Sequence, residues 1–387
     1  MKLNIYFKNV GQGDTIILDW EVEKGIRKFG LIDCNLVNNG ITPVTQHIRN
    51  NNIKEFEFVV LSHPHSDHFS GFPKFFEYCR TNGIEIQTFF HTCTFSPEFL
   101  RSLHNEEIDR ALLESDSLSS VNSIVQKKRL WKLFNIVMKE ELNNFSGFLK
   151  SIDNPNTRPV QLTEDIGIRF LAPTLREMRK YMQENFTITG GKTITLEQND
   201  NENNPAANEL ASFIQIYSDK YKWQVLLSSD STKDSLLRIM ADNGMLQKVM
   251  DKTLIAAQLP HHGSIRNHLP EFWKDIPRKE PPPLIISVGE GYGHPHRDVV
   301  EHFDMEFHSL HATNYVGGWK EYFSRDNPTH AVELPDEYIR KMPGVTKVVE
   351  QPSDSAEAAG PVCCEKHLEI LVNKKQVSCR IVPPANY

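Results

Sequence analysis

Residues 61–72 read LSHPHSDHFSGF. Three histidines and an aspartate, His63, His65, Asp67 and His68, fall within six positions. The run that leads into them, FVVLS over residues 58–62, is almost wholly apolar, the pattern of a strand buried on both faces. Such a strand holds its outgoing loop rigid, and rigid loops are where side chains for chemistry sit. In an extended segment, residues two apart share a side. His63 and His65 are therefore expected to grip one ion. Asp67 and His68, diverging from that pair, are expected to grip a second. Imidazole and carboxylate without thiolate suit zinc, manganese or iron(II), and argue against a closed structural zinc site.

Outward from this stretch, short apolar runs alternate with turns. LNIYFKNV, TIILDW and KFGLIDCN precede it as strands, with Gly11 and Gly13 turning the first into the second. FPKFFEYCRTNG follows as a short helix closed by Gly83, and IEIQTFFH as a strand ending on His91. From about 96 to 150, apolar residues at helical spacing with Lys and Glu between them predict a helical insertion. PVQL and IGIRFLAP return to strand, whereas the polar stretch from about 178 to 205, ending QNDNENNP, reads as a loop. ASFIQIYS and WQVLLSSD form a hairpin pattern around SDKYK, and SLLRIMADNG a helix. TLIAAQLPHHGS and PLIISVGEGYGHPH are strands that end in histidines. The C-terminal extension, about 312–387, contains the linker-like PSDSAEAAG and a hairpin pattern around NKK. Hairpins mixed with helices, rather than strict βαβ alternation, predict an α/β (α+β) chain of two mixed sheets packed together with helices outside. Residues 1–387 are read as one domain with these two additions.

Three further polar clusters follow strands. Asp230 closes WQVLLSSD and could bridge two ions; an aspartate in that place also serves commonly as a helix cap, with Ser231 as the alternative. His261 and His262 are adjacent, so one is expected to bind metal and the other to meet substrate or support a ligand. His294, in the glycine-rich GYGHPH, is placed to bind an anionic substrate or act as a general acid, or is an incidental turn residue.

Composition narrows the setting. Lys and Arg number 43 against 50 Asp and Glu, a net charge of −7, which argues against a globally basic nucleic-acid surface but not a local groove. No apolar run of about 18 residues predicts a membrane span. The N-terminal MKLNIYFKNVGQGD reads as a strand rather than a signal peptide, so a cytoplasmic setting is expected. Six cysteines without framework spacing are expected to be free thiols.

Taken together, these residues resemble the metallo-β-lactamase superfamily, whose HxHxDH signature corresponds to His63, His65, Asp67 and His68. VGQGD (10–14), LIDCN (31–35), LLSSD (226–230), LPHHGS (259–264) and SVGEGYGHP (287–295) resemble, more narrowly, the soluble hydrolase domain of ComEC-type DNA-uptake proteins and their stand-alone relatives. The resemblance implies a four-layer αββα sandwich with a two-metal site at its edge, Zn²⁺ or Mn²⁺ being the expected ions. It implies one ion on His63 and His65, a second on Asp67, His68 and His262, and Asp230 bridging. Two positions depart from the pattern. A further histidine for the first ion is missing between signature and bridge, with His91 the available candidate, and Ser229 stands where glycine is usual before the aspartate.

The implied function is metal-dependent hydrolysis by a metal-held water or hydroxide, with a nucleic acid or other phosphodiester as substrate. Asp67 would orient the nucleophile, and His261 or His294 would bind a phosphate oxygen or protonate the leaving group. The alternatives are hydrolysis of a small molecule (a lactone, thioester, phosphocholine ester or cyclic nucleotide) and a non-catalytic partner-binding subunit.

Overall fold

The computed structural model describes residues 2–92, 149–151, 160–178, 186–189, 193–196, 205–279, 281–288, 294–307, 310–313, 323, 366–373 and 376–382. Nearly all of the predicted helical insertion, the linker-like PSDSAEAAG and most of the C-terminal extension lie outside these residues.

The first half contributes strands β1 (Lys2–Phe7), β2 (Ile16–Glu23), β3 (Ile26–Ile32), β4 (Glu55–Phe56), β5 (Phe58–Leu61), β6 (Glu85–Ile86), β7 (Phe89–His91) and β8 (Leu149–Ser151). Next come β9 (Val160–Gln161), β10 (Gly167–Ala172), β11 (Phe186–Thr189), β12 (Thr193–Leu196), β13 (Phe213–Ser218), β14 (Trp223–Leu227) and β15 (Thr253–Gln258). The last are β16 (Leu284–Ile286), β17 (Leu310–Ala312), β18 (Lys366–Asn373) and β19 (Gln376–Val382). One sheet runs β19-β18-β1-β2-β3-β5-β7-β8 and the other β17-β16-β15-β14-β13-β10-β9. Helices are α1 (Thr42–Asn51), α2 (Phe72–Thr81), α3 (Lys233–Ala241), α4 (Asn243–Met250), α5 (Pro270–Lys274) and α6 (Arg297–Phe307).

Side-chain alternation creates the layers. Along β5, Phe58 and Val60 face the second sheet, while Val59 and Leu61 face α1 and α2. In β14, Trp223, Val225 and Leu227 join the inter-sheet core, and Leu226 joins the core beneath α3 to α6. Both strands are buried on both faces, which is why each reads as a continuous apolar run. Three cores result, one between the sheets and one under each helical layer. They define a four-layer αββα sandwich. Trp20 and Phe58 anchor the middle layer, stacked at 5.8 Å, with the Trp20 indole donating to the carbonyl of Leu162 at 3.0 Å.

Most predicted elements are present, and three differ. IEIQTFFH splits: β6 pairs with β4 in a separate two-stranded sheet, and β7 joins the first sheet beside β5. The stretch expected to be loop contains the antiparallel hairpin β11–β12, whose strands are rich in β-branched Thr and Ile. The helix after Asp230 is two helices, because Asp242 caps α4 by accepting from the backbone N–H of Met245 at 3.0 Å. Neither Asp230 nor Ser231 caps α3; Thr232 does, accepting from Ser235. The hairpin predicted around NKK forms as β18–β19, and β18 pairs antiparallel with β1.

Parallel pairing decides where chemistry can gather. β3, β5 and β7 are parallel neighbours, as are β14, β15, β16 and β17. Neighbouring parallel strands end on the same side of a sheet, so their outgoing loops collect at one edge. Among the described residues, no helix is long and apolar enough to cross a membrane.

Candidate metal centre

The signature loop leaves β5 in extended form for Ser62 to His65, and then coils. Ser66–Phe69 is a single helical turn, with the backbone N–H groups of His68 and Phe69 donating to the carbonyl of His65 at 3.0 and 3.1 Å. This turn, rather than an extended strand, is what sends Asp67 and His68 to a different side from His63 and His65. The loop is tied to the end of β3 by Cys34 N–H to the His68 carbonyl (2.8 Å) and Gly71 N–H to the Cys34 carbonyl (2.7 Å).

Asp230 sits at the centre. Its Oδ1 lies 3.4 Å from His68 Nε2 and 3.4 Å from His262 Nε2. Its Oδ2 lies 3.5 Å from His63 Nε2 and 3.5 Å from His261 Nε2. Asp67 Oδ2 is 3.4 Å from His262 Nε2 and 3.9 Å from His68 Nε2. Two candidate ligand groups share Asp230: Asp67, His68 and His262 form one, His63 and His65 the other. Ser229 adopts a left-handed conformation, φ +43°, which explains why glycine is usual there. Its hydroxyl donates to Ser62 Oγ at 2.8 Å and so links the two sheets across the site.

The residues fit a divalent ion. Nε2 of His63, His68 and His262 and both oxygens of Asp230 are buried and form no hydrogen bond. Buried polar atoms are rarely left so. Each of the three nitrogens lies 3.4–3.5 Å from one of the two oxygens, the spacing of two ligand atoms on one zinc-sized ion, about 3.4 Å for metal–ligand bonds near 2.1 Å.

The histidine tautomers are set from behind. His68 Nδ1 lies 2.7 Å from Asp33 Oδ2, so Nδ1–H donates and Nε2 presents its lone pair to the centre. Asp33 also accepts from the Ser62 backbone N–H (2.7 Å) and hydroxyl (2.5 Å). Asp14 is held by Gln258 Nε2 (2.6 Å) and the Ser287 hydroxyl (2.5 Å). Asp14, Asp33 and His68 form a third cluster of potential ligands, but its carboxylates are already engaged, which makes it a support for His68. The sequence reading missed these supporting residues. Their signal was position: Asp33 and Ser62 end buried strands, and Gln258 ends β15.

In the metal-free protein the charges balance internally. Burial opposes the charged form of His68, but Asp230, Asp67 and Asp33 overcome it and hold its pKa well above the ordinary value. For His262, burial is likewise outweighed by Asp230 and Asp67, and the pKa rises to about 9. Burial also works against ionised Asp230, yet His261, His68 and His262 hold it well below the usual carboxylate range. His63 is lowered by burial and by His68, and His65 is brought to about 3 by burial and by His63.

His294 stands at the lip, its ring 5.4 Å from that of His261. Burial, with His261 and His262, brings its pKa down to about 3, and Arg266 is near enough to contribute. His91 is buried at the end of β7, stacked near Phe89, and joins none of the candidate ligand groups among the described residues.

No family profile matches this sequence. No curated protein matches it either. Among solved structures, the chain is similar to the metallo-β-lactamase fold protein YhfI from Bacillus subtilis, at 11% identity and TM-score 0.41, covering 81% of this chain and 96% of that one. It is also similar to a diphosphatase from the PhnP family (8% identity, TM-score 0.31, 81% and 85% covered). A third similarity is to the short form of human tRNase Z (10% identity, TM-score 0.31, 81% and 91% covered). The layer order defines the class as a four-layer αββα sandwich with a cluster of histidines and aspartates at its strand ends. Its edge carries residues that could hold divalent metal.

Proposed function

We propose that this chain is a metal-dependent hydrolase of phosphodiesters, and a nuclease in the manner of the ComEC-type hydrolase domains its motifs resemble. The observation that carries the hydrolase reading is the set of unpaired buried donors converging on Asp230. A purely structural core would have no reason to bury these atoms without partners. The motif resemblance supplies the substrate class.

His63 and His65 would hold one ion and Asp67, His68 and His262 the other, with Asp230 shared. Two bound ions would polarise a phosphoryl oxygen and lower the pKa of bound water toward about 7. The chain's own residues do the rest. Asp67 has the most exposed carboxylate of the centre, its side chain 27% accessible, so it faces incoming substrate and orients the attacking water. His294 and Arg266 at the lip donate hydrogen bonds to a non-bridging phosphate oxygen. Asp33 keeps His68 from rotating as charge builds at the site.

The test offers purified protein, loaded with Zn²⁺ or Mn²⁺, single-stranded DNA, duplex DNA, RNA, bis-(p-nitrophenyl) phosphate and a lactone panel. Asp67→Ala and His262→Ala are controls. Metal-dependent cleavage of a phosphodiester, lost in both variants, is expected. Turnover of a lactone alone would move the substrate class to small molecules. Absence of bound metal and of any turnover would favour a non-catalytic, partner-binding role.

A further inference from the structure

Asn267 closes the segment HHGSIRN (261–267) and is buried beside the metal centre. We propose that it is a positioning residue for that centre: its one side-chain amide locks the loop that carries Asp230 to the loop that carries His262. This rests on the two-metal reading above and gives a role to a residue that neither the motif pattern nor the sequence spacing singles out.

Asp230 follows β14 and His262 follows β15, so the two residues stand on the outgoing loops of neighbouring parallel strands. Three consecutive carbonyls of the first loop are gripped from the second. The Ser229 carbonyl accepts from the His261 backbone N–H at 2.9 Å. The Asp230 and Ser231 carbonyls both accept from Asn267 Nδ2, at 3.3 and 2.9 Å. The other end of the same amide, Oδ1, lies 2.9 Å from His261 Nδ1, and Asn208 Nδ2 lies 3.4 Å from that nitrogen. Two amides thus touch the His261 ring, whichever of its nitrogens carries the proton. The chain folds back on itself to bring Asn267 there: Ser264 N–H donates to the His261 carbonyl at 2.8 Å, and Asn267 N–H to the Ser264 carbonyl at 3.1 Å.

The clamp matters because of how Asp230 is held. Neither oxygen of its carboxylate forms a hydrogen bond, so its place is set through its backbone. On one side, the Ser229 hydroxyl ties that backbone to the signature loop through Ser62 Oγ at 2.8 Å. On the other, Asn267 ties it to the His262 loop. Asp230 serves both candidate ligand groups, with Oδ1 3.4 Å from Nε2 of His68 and His262 and Oδ2 3.5 Å from His63 Nε2. Loosening a ligand that belongs to one group weakens one ion. Loosening the shared ligand weakens both, and outer support of metal ligands is commonly worth about 10–100-fold in affinity. Asn267 is not among the residues with positive φ, so alanine there removes the amide without adding backbone strain.

The test is metal binding by the full chain, read by titrating metal-stripped protein with Zn²⁺ against a chromophoric chelator. Wild type is expected to bind two equivalents. Asn267→Ala should still bind two, with both weakened by about 10–100-fold, because every ligand remains and the shared one is loosened. Phe58→Ala, which empties the core between the sheets, should lower the melting temperature and leave both affinities unchanged, which separates positioning from general destabilisation. Far-UV circular dichroism of the metal-free variants reads folding. If Asn267→Ala does not fold, Asn267→Ser, which keeps a single donor at shorter reach, takes its place with the same parallel weakening expected. Three results overturn the role of Asn267 while leaving the two-metal reading intact: both affinities within threefold of wild type in the folded variant, weakening of one equivalent only, or the same parallel loss in Phe58→Ala. A wild type that binds fewer than two equivalents overturns both.

Discussion

Replacing Asp33 with Asn should damage the metal centre without touching a ligand. Asp33 is fully buried and receives three hydrogen bonds on two oxygens, from His68 Nδ1–H, the Ser62 hydroxyl and the Ser62 backbone N–H. Asparagine has one acceptor oxygen. If that oxygen keeps the Ser62 N–H, the new NH₂ faces His68 Nδ1–H, and two donors oppose each other. His68 escapes by moving its proton to Nε2, the atom 3.4 Å from Asp230 Oδ1, and is then lost as a ligand. If it does not, a buried donor is left unpaired, at about 1–3 kcal/mol. Asp33 sits at φ +57°, which asparagine tolerates as well as aspartate, so backbone strain does not enter. Outer support of this kind is worth about 10–100-fold in metal affinity, or about 1.4–2.7 kcal/mol. Zinc titration of Asp33→Asn should show that loss, and thermal melting in excess chelator should show a destabilised metal-free protein. Zinc affinity within threefold of wild type, with an unchanged melting temperature, would refute the argument that Asp33 sets the His68 tautomer.

Gly13→Ala should be severe: Gly13 has φ +107°, and a Cβ there would stand 2.2 Å from the Asp67 carbonyl oxygen. Strain of about 1–3 kcal/mol is expected from the backbone alone, with zinc binding reduced because the Asp67 turn is displaced; unchanged binding would refute the close approach. Phe58→Ala empties the inter-sheet core beside Trp20 and should cost about 3–5 kcal/mol by denaturant titration. For pH, the folded pKa of His262 is raised to about 9 from an unfolded value near 6.5, so its contribution to metal-free stability is complete below about 6.5 and lost as pH rises through about 9. Chelator-treated protein should therefore lose stability across that window. His262→Gln should flatten this part of the profile, and a wild-type profile without such a loss would count against the pairing of His262 with Asp230 and Asp67.

The local signals in this chain were strong wherever one residue type dominates a short span. Unbroken apolar runs marked β5 and β14 because both strands are covered on both faces, and the histidine crowding at 63–68 marked a ligand loop. The order of strands and helices was enough for a two-sheet sandwich. The hairpin at 186–196 was masked by its polar flanks, and the break inside IEIQTFFH depended on β4 offering β6 a partner 30 residues away. That β18 lies beside β1 could not be read, since pairing between chain ends leaves no local pattern.

For the site, spacing alone was sufficient to name His63, His65, Asp67 and His68 as candidates, because imidazole and carboxylate at such density have few other uses; Asp230 was suggested by its place after a strand, and the choice of His262 came from the family resemblance. The division of labour between His261 and His262 was not decidable from spacing, which argued that neighbours diverge. In the structure both adopt left-handed backbone, and His262 joins Asp67, His68 and Asp230 in one candidate ligand group, whereas His261 joins none among the described residues. Asp14 and Asp33 acquired their positions the same way. The chemical identity of a side chain is written in the sequence, but the direction of its lone pair is set by whatever packs on its far side, and those neighbours come from distant strands.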